Sequence, residues 1–215
     1  MNQEIAGIRI NYSKKSLLEA DVAADPIIQF NRWWQEAIES QILEVNAMTL
    51  ATADANGIPD ARIVLLKGVS EKGFVFFTNY ESRKGKELQA NAHACLVFFW
   101  KELERQVRIM GPVARVSEAE SDAYFYSRPA GSQIGAMASP QSTVIPNREF
   151  LDQQTKSITD SIAGGQDIVR PTHWGGYQVA PVSVEFWQGR PSRLHDRLRY
   201  TLQEDLLWKI ERLAP

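Results

Sequence analysis

Apolar residues fall at helical spacing near the N-terminus, gather into short strand-like runs through the middle of the chain, and return to such runs near its end. The first 24 residues show little periodicity and are expected to form a mobile arm or lid. Asp25-Pro26 reads as a helix start. An aspartate oxygen accepts from free N–H groups of the first turn, where proline's missing N–H costs nothing. Ile27, Phe30, Trp34, Ala37 and Ile38 then mark one face of a helix ending near Ile42. Strands are expected over Ala47 to Ala53, Ala61 to Lys67, Phe74 to Thr78, Ala94 to Trp100 and Gln106 to Val116. Asp54 to Gly57, Glu71 to Gly73 and Lys101 to Glu104 supply turns between them. Short loops between such strands argue for an antiparallel meander or barrel rather than a parallel sheet.

Ser117 and Glu120 have capping-box spacing, so a helix is expected from Ser117 to a stop at Pro129. A further helix is expected from Asn147 to about Ala163, ending at Gly164-Gly165. Gly176 to Trp187 reads as one strand, and Arg197 to Gln203 with Leu207 to Arg212 as a hairpin. The expected class is α+β: a barrel-like core decorated with helices, one domain over 25–215 behind the arm at 1–24.

Charge sharpens this picture. Lys and Arg total 24 against 26 Asp and Glu, a formal net charge of -2. Such a chain has no global field for nucleic acid or anionic lipid, so any anion site must be local. The longest apolar run, Ala94 to Trp100, is far short of the ~20 residues a membrane helix needs, and the polar N-terminus lacks a signal-peptide core. The single Cys95 lies inside that run and reads as a core residue of a cytoplasmic protein. His93, His173 and His195 stand apart, and no Cys/His cluster suggests a metal.

Four constellations carry candidate chemistry. Ser82-Arg83-Lys84 places a cap and two cations at a helix start, where the macrodipole prefers anions; a bound phosphate resolves that conflict, and a solvated basic turn is the plain alternative. Arg62-Ile-Val-Leu-Leu-Lys67 is an apolar strand with a cation at each end, on opposite faces if alternation is strict; both could simply snorkel. Arg193, His195 and Arg197 share one face if their segment is extended, close to Trp187, and suit a planar anion; a charged sheet edge is the alternative. Tyr124, Arg128 and Ser132, followed by Gln141-Ser142, offer phosphate-oxygen donors, with Tyr124 and Arg128 expected on one helix face; an arginine stabilising a helix end is the alternative. Glu102 and Glu104 flank a tight turn and read as a solvated loop. Together the constellations imply two anionic sites, one for a flat phosphorylated cofactor and one for a phosphorylated substrate.

At these residues the sequence resembles the pyridoxine/pyridoxamine 5'-phosphate oxidase family. The carrying segments are Arg62 to Lys67, Phe77-Thr-Asn-Tyr-Glu-Ser-Arg-Lys84, Glu104-Arg-Gln-Val107, Ser127-Arg-Pro and Ser132-Gln-Ile-Gly-Ala. Further on come Gln141-Ser142, Trp174-Gly-Gly-Tyr, Glu185-Phe-Trp-Gln-Gly189, Arg193-Leu-His-Asp-Arg197 and Arg212-Leu-Ala-Pro215. The resemblance implies a split β-barrel, a homodimer with shared active sites, and FMN at the subunit interface. It assigns FMN contacts to Arg62, Ile63, Val64, Leu65, Leu66, Lys67, Phe77, Thr78, Arg83, Lys84, Gln106, Gln141, Ser142, Trp187 and Arg197. It assigns the substrate phosphate to Lys67, Tyr124, Arg128 and Ser132, and the reacting face of the pyridine ring to Arg193, Leu194 and His195. Arg9 and Tyr12 correspond to lid residues. The implied reaction is oxidation of pyridoxamine or pyridoxine 5'-phosphate to pyridoxal 5'-phosphate, with O2 reduced to hydrogen peroxide. Two alternatives share the barrel. A non-catalytic flavin or vitamin B6 phosphate carrier leaves Arg193 and His195 without a purpose. A split-barrel reductase or haem-binding protein leaves Tyr124, Arg128 and Ser132 unexplained.

Overall fold

The computed structural model describes residues 11–215, so Arg9 lies outside the described residues. In chain order the elements are α1 (Pro26–Glu39), β1 (Ala47–Ala53), β2 (Pro59–Leu65), β3 (Gly68–Ser70), β4 (Gly73–Asn79), α2 (Arg83–Ala90), β5 (His93–Trp100) and β6 (Arg105–Arg115). There follow α3 (Glu118–Ser127), α4 (Ala130–Ala138), α5 (Arg148–Ala163), β7 (Trp174–Val179), β8 (Ser183–Gln188), β9 (Asp196–Leu202) and β10 (Trp208–Arg212). The chain divides into two compact units, one built from residues up to Leu50 with Cys95–Gly111 and Pro181–Pro215, the other from Ala51–Ala94 and Pro112–Ala180.

In the first unit the strands run in the order β10-β9-β8-β6-β5-β1. Asp25 caps α1 as expected, accepting from Ile27 N and Ile28 N at 2.7 and 3.0 Å. The helix ends before Ile42, since Ser40 is its C-cap and Gln41 turns left-handed at φ 54°. Its buried face packs Phe30 against Phe98 and Trp100, and Trp33 edge-on against Phe186. Residues 11–24 carry no helix or strand. Leu17 N–H donates to Asp196 at 3.1 Å, Arg212 donates to Leu17 O at 2.8 Å, and the buried Tyr200 hydroxyl donates to Ala23 O at 2.7 Å. Glu104 corrects the solvated-loop expectation. Its φ of 55° turns it inward, it is 7% exposed, and its carboxylate accepts from Ser13 N and Lys14 N at 2.9 and 3.0 Å.

In the second unit β3 pairs with β4, β4 with β7, and β7 with the end of β6, all antiparallel. The expected strand from Gly176 to Trp187 is two strands, because Pro181 has no N–H to continue the ladder. The capping box at Ser117 and Glu120 is present. Pro129 stops α3 but also begins α4, which the glycines at 131 and 135 conceal from a periodicity reading. Phe74, Phe76, Phe125 and Val179 are fully buried, and Trp174 and Tyr177 nearly so.

One glycine fixes how α2 meets β4. A Cβ on Gly85 would overlap the Tyr80 backbone, which cannot move aside as a flexible side chain would. Gly85→Ala is therefore expected to destabilise the protein by about 1–3 kcal/mol, the usual cost of overpacking. Thermal unfolding measures this, and an unchanged midpoint would show that α2 can shift freely. Among the described residues no helix is long and apolar enough to cross a membrane, and no group of three or more His, Cys, Asp or Glu side chains could hold a metal ion.

Candidate functional site

Within the second unit, β2, β4, α3 and β7 surround a cavity of about 300 Å³. One wall is aromatic. The Phe77 ring stacks on Tyr124 at 4.0 Å between centroids and on Trp174 at 5.6 Å, with interplanar angles of 25° and 14°. Gly176 makes room for this slab. It faces Phe77 in register across the strand pair, and a Cβ there would come within 2.8 Å of the Phe77 ring.

The cavity's polar groups are cations and amides. Lys84 Nζ donates to Gln141 Oε1 at 2.9 Å, and Thr78 Oγ1 donates to the same oxygen at 3.1 Å. Burial, and then the nearby Arg62, hold the Lys84 ammonium below the ordinary lysine range. Lys67 Nζ lies 5.8 Å from the Tyr124 ring centroid, and the Arg128 guanidinium lies 4.7 Å from that of Trp174. Burial pulls Arg128 below the usual arginine value, and among the described residues its Nη1 is buried without a hydrogen-bond partner. A buried cation without a counter-charge is costly, and an anion in this cavity would offset that cost. A second cavity of about 280 Å³ shares Arg128, Gln141, Asn79 and Trp174 with the first and adds Ser132.

Ile63, Val64, Leu65, Lys67, Phe77, Thr78, Lys84, Tyr124, Arg128 and Gln141 thus line one cavity, which brings residues expected at the cofactor together with residues expected at the substrate phosphate. Some expectations need correction. Strand β2 ends at Leu65, so Lys67 lies beyond the alternation that put it opposite Arg62. Leu66 is 5% exposed and belongs to the core. Arg128 lies just past α3 in extended backbone (φ -78°, ψ 151°) because the following proline disfavours helix, so Tyr124 and Arg128 do not share a helix face.

Ser82 caps α2 as expected, accepting from Gly85 N at 3.3 Å, but carboxylates resolve the charge conflict at Arg83. Arg83 Nε sits 2.9 Å from Glu87 and 3.1 Å from Asp60, and Arg62 pairs with the same two carboxylates at 3.1 and 2.7 Å. Burial pushes the Glu87 carboxyl up. Hydrogen bonds from Thr52, Arg83 and Arg62 outweigh it and hold the carboxyl below its ordinary value. Arg83 and Ser142 line a separate cavity of about 520 Å³ in the same unit.

The first unit gathers a second group. Gln106 pairs in register with Trp187, and Trp187 with Arg197. The Trp187 ring lies 4.6 Å from the His195 ring and edge-on to Tyr12 at 5.8 Å. Ser192 and Arg193 have φ of 57° and 62°, so the chain coils before β9 and the single extended face expected for Arg193, His195 and Arg197 does not form. Leu194 is 70% exposed. His195 Nδ1 accepts from Arg190 N at 3.1 Å, which leaves the proton of the neutral ring on Nε2. Burial and then Arg193 hold this imidazole below its ordinary value, so it is neutral at pH 7. Arg197 Nε donates at 2.8 Å to the buried Glu185, which also pairs with Arg108. That group borders another cavity, of about 530 Å³.

Sequence reasoning missed Trp174 and Asn79 as cavity residues, and Asp60, Glu87 and Glu185 as partners of the cations. Asn79 follows Thr78 directly, and Glu87 stands four residues after Arg83 on one helix, so both had a local signal.

Residues 34–161 match the family model described as pyridoxamine 5'-phosphate oxidase, and residues 174–215 match the pyridoxine 5'-phosphate oxidase C-terminal dimerisation region. The chain is 57% identical over 213 residues to the pyridoxine/pyridoxamine 5'-phosphate oxidase of Burkholderia vietnamiensis, covering 98% of this chain and 99% of that protein. It is 55% identical over 212 residues to the protein of the same name from Cupriavidus pinatubonensis, covering 99% of each. Among solved structures, PhzG from Burkholderia lata in complex with tetrahydrophenazine-1-carboxylic acid is 31% identical with a TM-score of 0.87, covering 94% of this chain and 100% of that one. A pyridoxamine 5'-phosphate oxidase-related, FMN binding protein from Nostoc punctiforme is 16% identical with a TM-score of 0.69, covering 90% of this chain and 100% of that one. These likenesses carry the fold: the chain has the split-barrel, mainly antiparallel α+β fold expected of it.

Proposed function

The chain belongs to the pyridoxamine 5'-phosphate oxidase family, and on that premise we propose that it is an FMN-dependent oxidase that converts pyridoxamine and pyridoxine 5'-phosphate to pyridoxal 5'-phosphate. O2 is the final acceptor and becomes hydrogen peroxide. The observation that carries this reading is the buried, unpartnered Nη1 of Arg128 beside an aromatic wall and a second cation, Lys67. That donor set fits a phosphorylated planar ligand. The burial-depressed Lys84 with Thr78 and Gln141 fits a second phosphorylated group, the cofactor.

FMN, when bound, supplies the two-electron acceptor. In this proposal Arg62 to Leu65, Lys67, Phe77, Thr78, Arg83, Lys84, Gln106, Gln141, Ser142, Trp187 and Arg197 hold it. Lys67, Tyr124, Arg128 and Ser132 hold the substrate phosphate. Arg193 and the neutral His195, with Leu194, orient the pyridine ring, and Nε2–H of His195 is a donor toward a substrate oxygen or nitrogen. Arg9 and Tyr12 are taken as substrate-binding residues, as the resemblance implies. The protein works as a cytoplasmic homodimer in which each copy supplies part of each site, and residues 25–215 act as one FMN-binding domain.

A second reading follows the PhzG likeness: oxidation of a reduced tricyclic carboxylate on the same fold. A carboxylate is a poorer match for the donors contributed by Lys67, Tyr124, Arg128 and Ser132 than a phosphate with three terminal oxygens. Aerobic incubation with pyridoxamine 5'-phosphate separates the readings. Aldehyde and peroxide appear together under the first, and neither appears under the second.

A further inference from the structure

The arginine at the centre of the proposed phosphate site has no carboxylate to hold it. Among the described residues no ion pair involves Arg128, whereas Arg62, Arg83 and Arg197 are each held by Asp or Glu. A long guanidinium side chain has rotamer entropy to lose on ordering. Something must supply that ordering without cancelling the charge. Two neutral residues are in place to do so.

Gln133, on α4 and 8% exposed, donates through Nε2 to the Arg128 carbonyl at 2.7 Å and reaches Tyr126 O at 3.4 Å. This ties the extended backbone of Arg128 to the next helix. Trp174, 6% exposed, lies under the guanidinium at 4.7 Å and is itself fixed in the slab with Phe77 and Tyr124. We propose that Gln133 and Trp174 are positioning residues for Arg128, which hold its guanidinium for a phosphate ester without neutralising it. A carboxylate in either place would compete with the ligand. An amide clamp and an aromatic floor fix the geometry and leave the full charge for the incoming dianion, so less ordering cost falls on binding. In this proposal both residues act on the phosphate through Arg128.

The inference rests on Arg128 serving the substrate phosphate, and the experiment separates the two claims. Gln133→Met keeps size but cannot donate. Trp174→Phe keeps a flat floor and Trp174→Leu removes it. On FMN-loaded protein, KM for pyridoxamine 5'-phosphate and the Kd of inorganic phosphate by calorimetry are measured, with Arg128→Met as the reference. Both constants should rise about tenfold in Gln133→Met and Trp174→Leu, and much less in Trp174→Phe. In Gln133→Met, kcat should stay within about twofold, and kcat/KM for unphosphorylated pyridoxamine should not change. If Arg128→Met weakens phosphate but Gln133→Met and Trp174→Leu do not, the positioning claim fails alone. If Arg128→Met itself leaves phosphate binding intact, the assignment of Arg128 fails. An equal loss with pyridoxamine would mean that the residues serve the fold only. Should Trp174→Leu not fold, Gln133→Met decides the matter.

Discussion

Arg128→Met is expected to cut kcat/KM for pyridoxamine 5'-phosphate by on the order of 10²- to 10⁴-fold while bound FMN is retained. Hydrogen bonds to charged groups contribute about 1.5–3 kcal/mol each, and each 1.4 kcal/mol is a factor of ten in rate. Loss of two such bonds from a guanidinium therefore spans that range. A second consequence sets this residue apart from a structural arginine. Among the described residues its Nη1 is buried without a hydrogen-bond partner, and no carboxylate pairs with the guanidinium. Removing a strained charge of this kind leaves stability unchanged or raises it. The variant's unfolding midpoint without substrate should therefore not fall, while the increase caused by added phosphate disappears. Steady-state kinetics, flavin content and thermal unfolding with and without phosphate check all three. A kcat/KM within threefold of the parent would remove Arg128 from the site.

Hybrid dimers give the other large effect. Lys84→Ala and Arg197→Ala are each expected to be nearly inactive, and their mixture to recover activity. Lys84 stands in the α2 group with Gln141, whereas Arg197 is held by Glu185 on the strands matched by the dimerisation region. If one FMN takes Lys84 from one copy and Arg197 from the other, a heterodimer holds one intact site and about half the parental activity, as two-fold symmetry requires. If both residues serve the same flavin from one chain, every site in the mixture lacks one of them and nothing is recovered. Subunit exchange, verified by a size tag on one variant, makes the second outcome decisive.

Local chemistry decided what could be read in advance. Asp25-Pro26 and Ser117 with Glu120 signal helix starts through bonds made within four residues, and both stand in the structure. The strands β1, β4, β5 and β6 follow from apolar runs bounded by turn residues. Features set by distant contacts or unusual backbone were not legible. Ser192 and Arg193 adopt positive φ without a glycine to announce it, so an extended reading of Arg193 to Arg197 was the natural error. Helix α4 begins on a proline that also reads as a stop. The cavity-lining set was found largely through resemblance. The carboxylates that hold Arg62 and Arg197 depend on which strands and helices meet, which residue spacing alone does not encode. Trp174 stood in one of the motifs, yet nothing in its spacing places its ring beneath Arg128.

The central claim concerns a single transfer of two electrons, from a phosphorylated B6 vitamer to a flavin held by this chain. Anaerobic mixing of FMN-loaded protein with pyridoxamine 5'-phosphate tests it most directly. The account predicts loss of the flavin's yellow colour with about one pyridoxal 5'-phosphate formed per FMN, and return of the colour with hydrogen peroxide when O2 is admitted. A flavin that keeps its colour with pyridoxamine and pyridoxine 5'-phosphate, yet loses it to a reduced tricyclic carboxylate, would contradict the account.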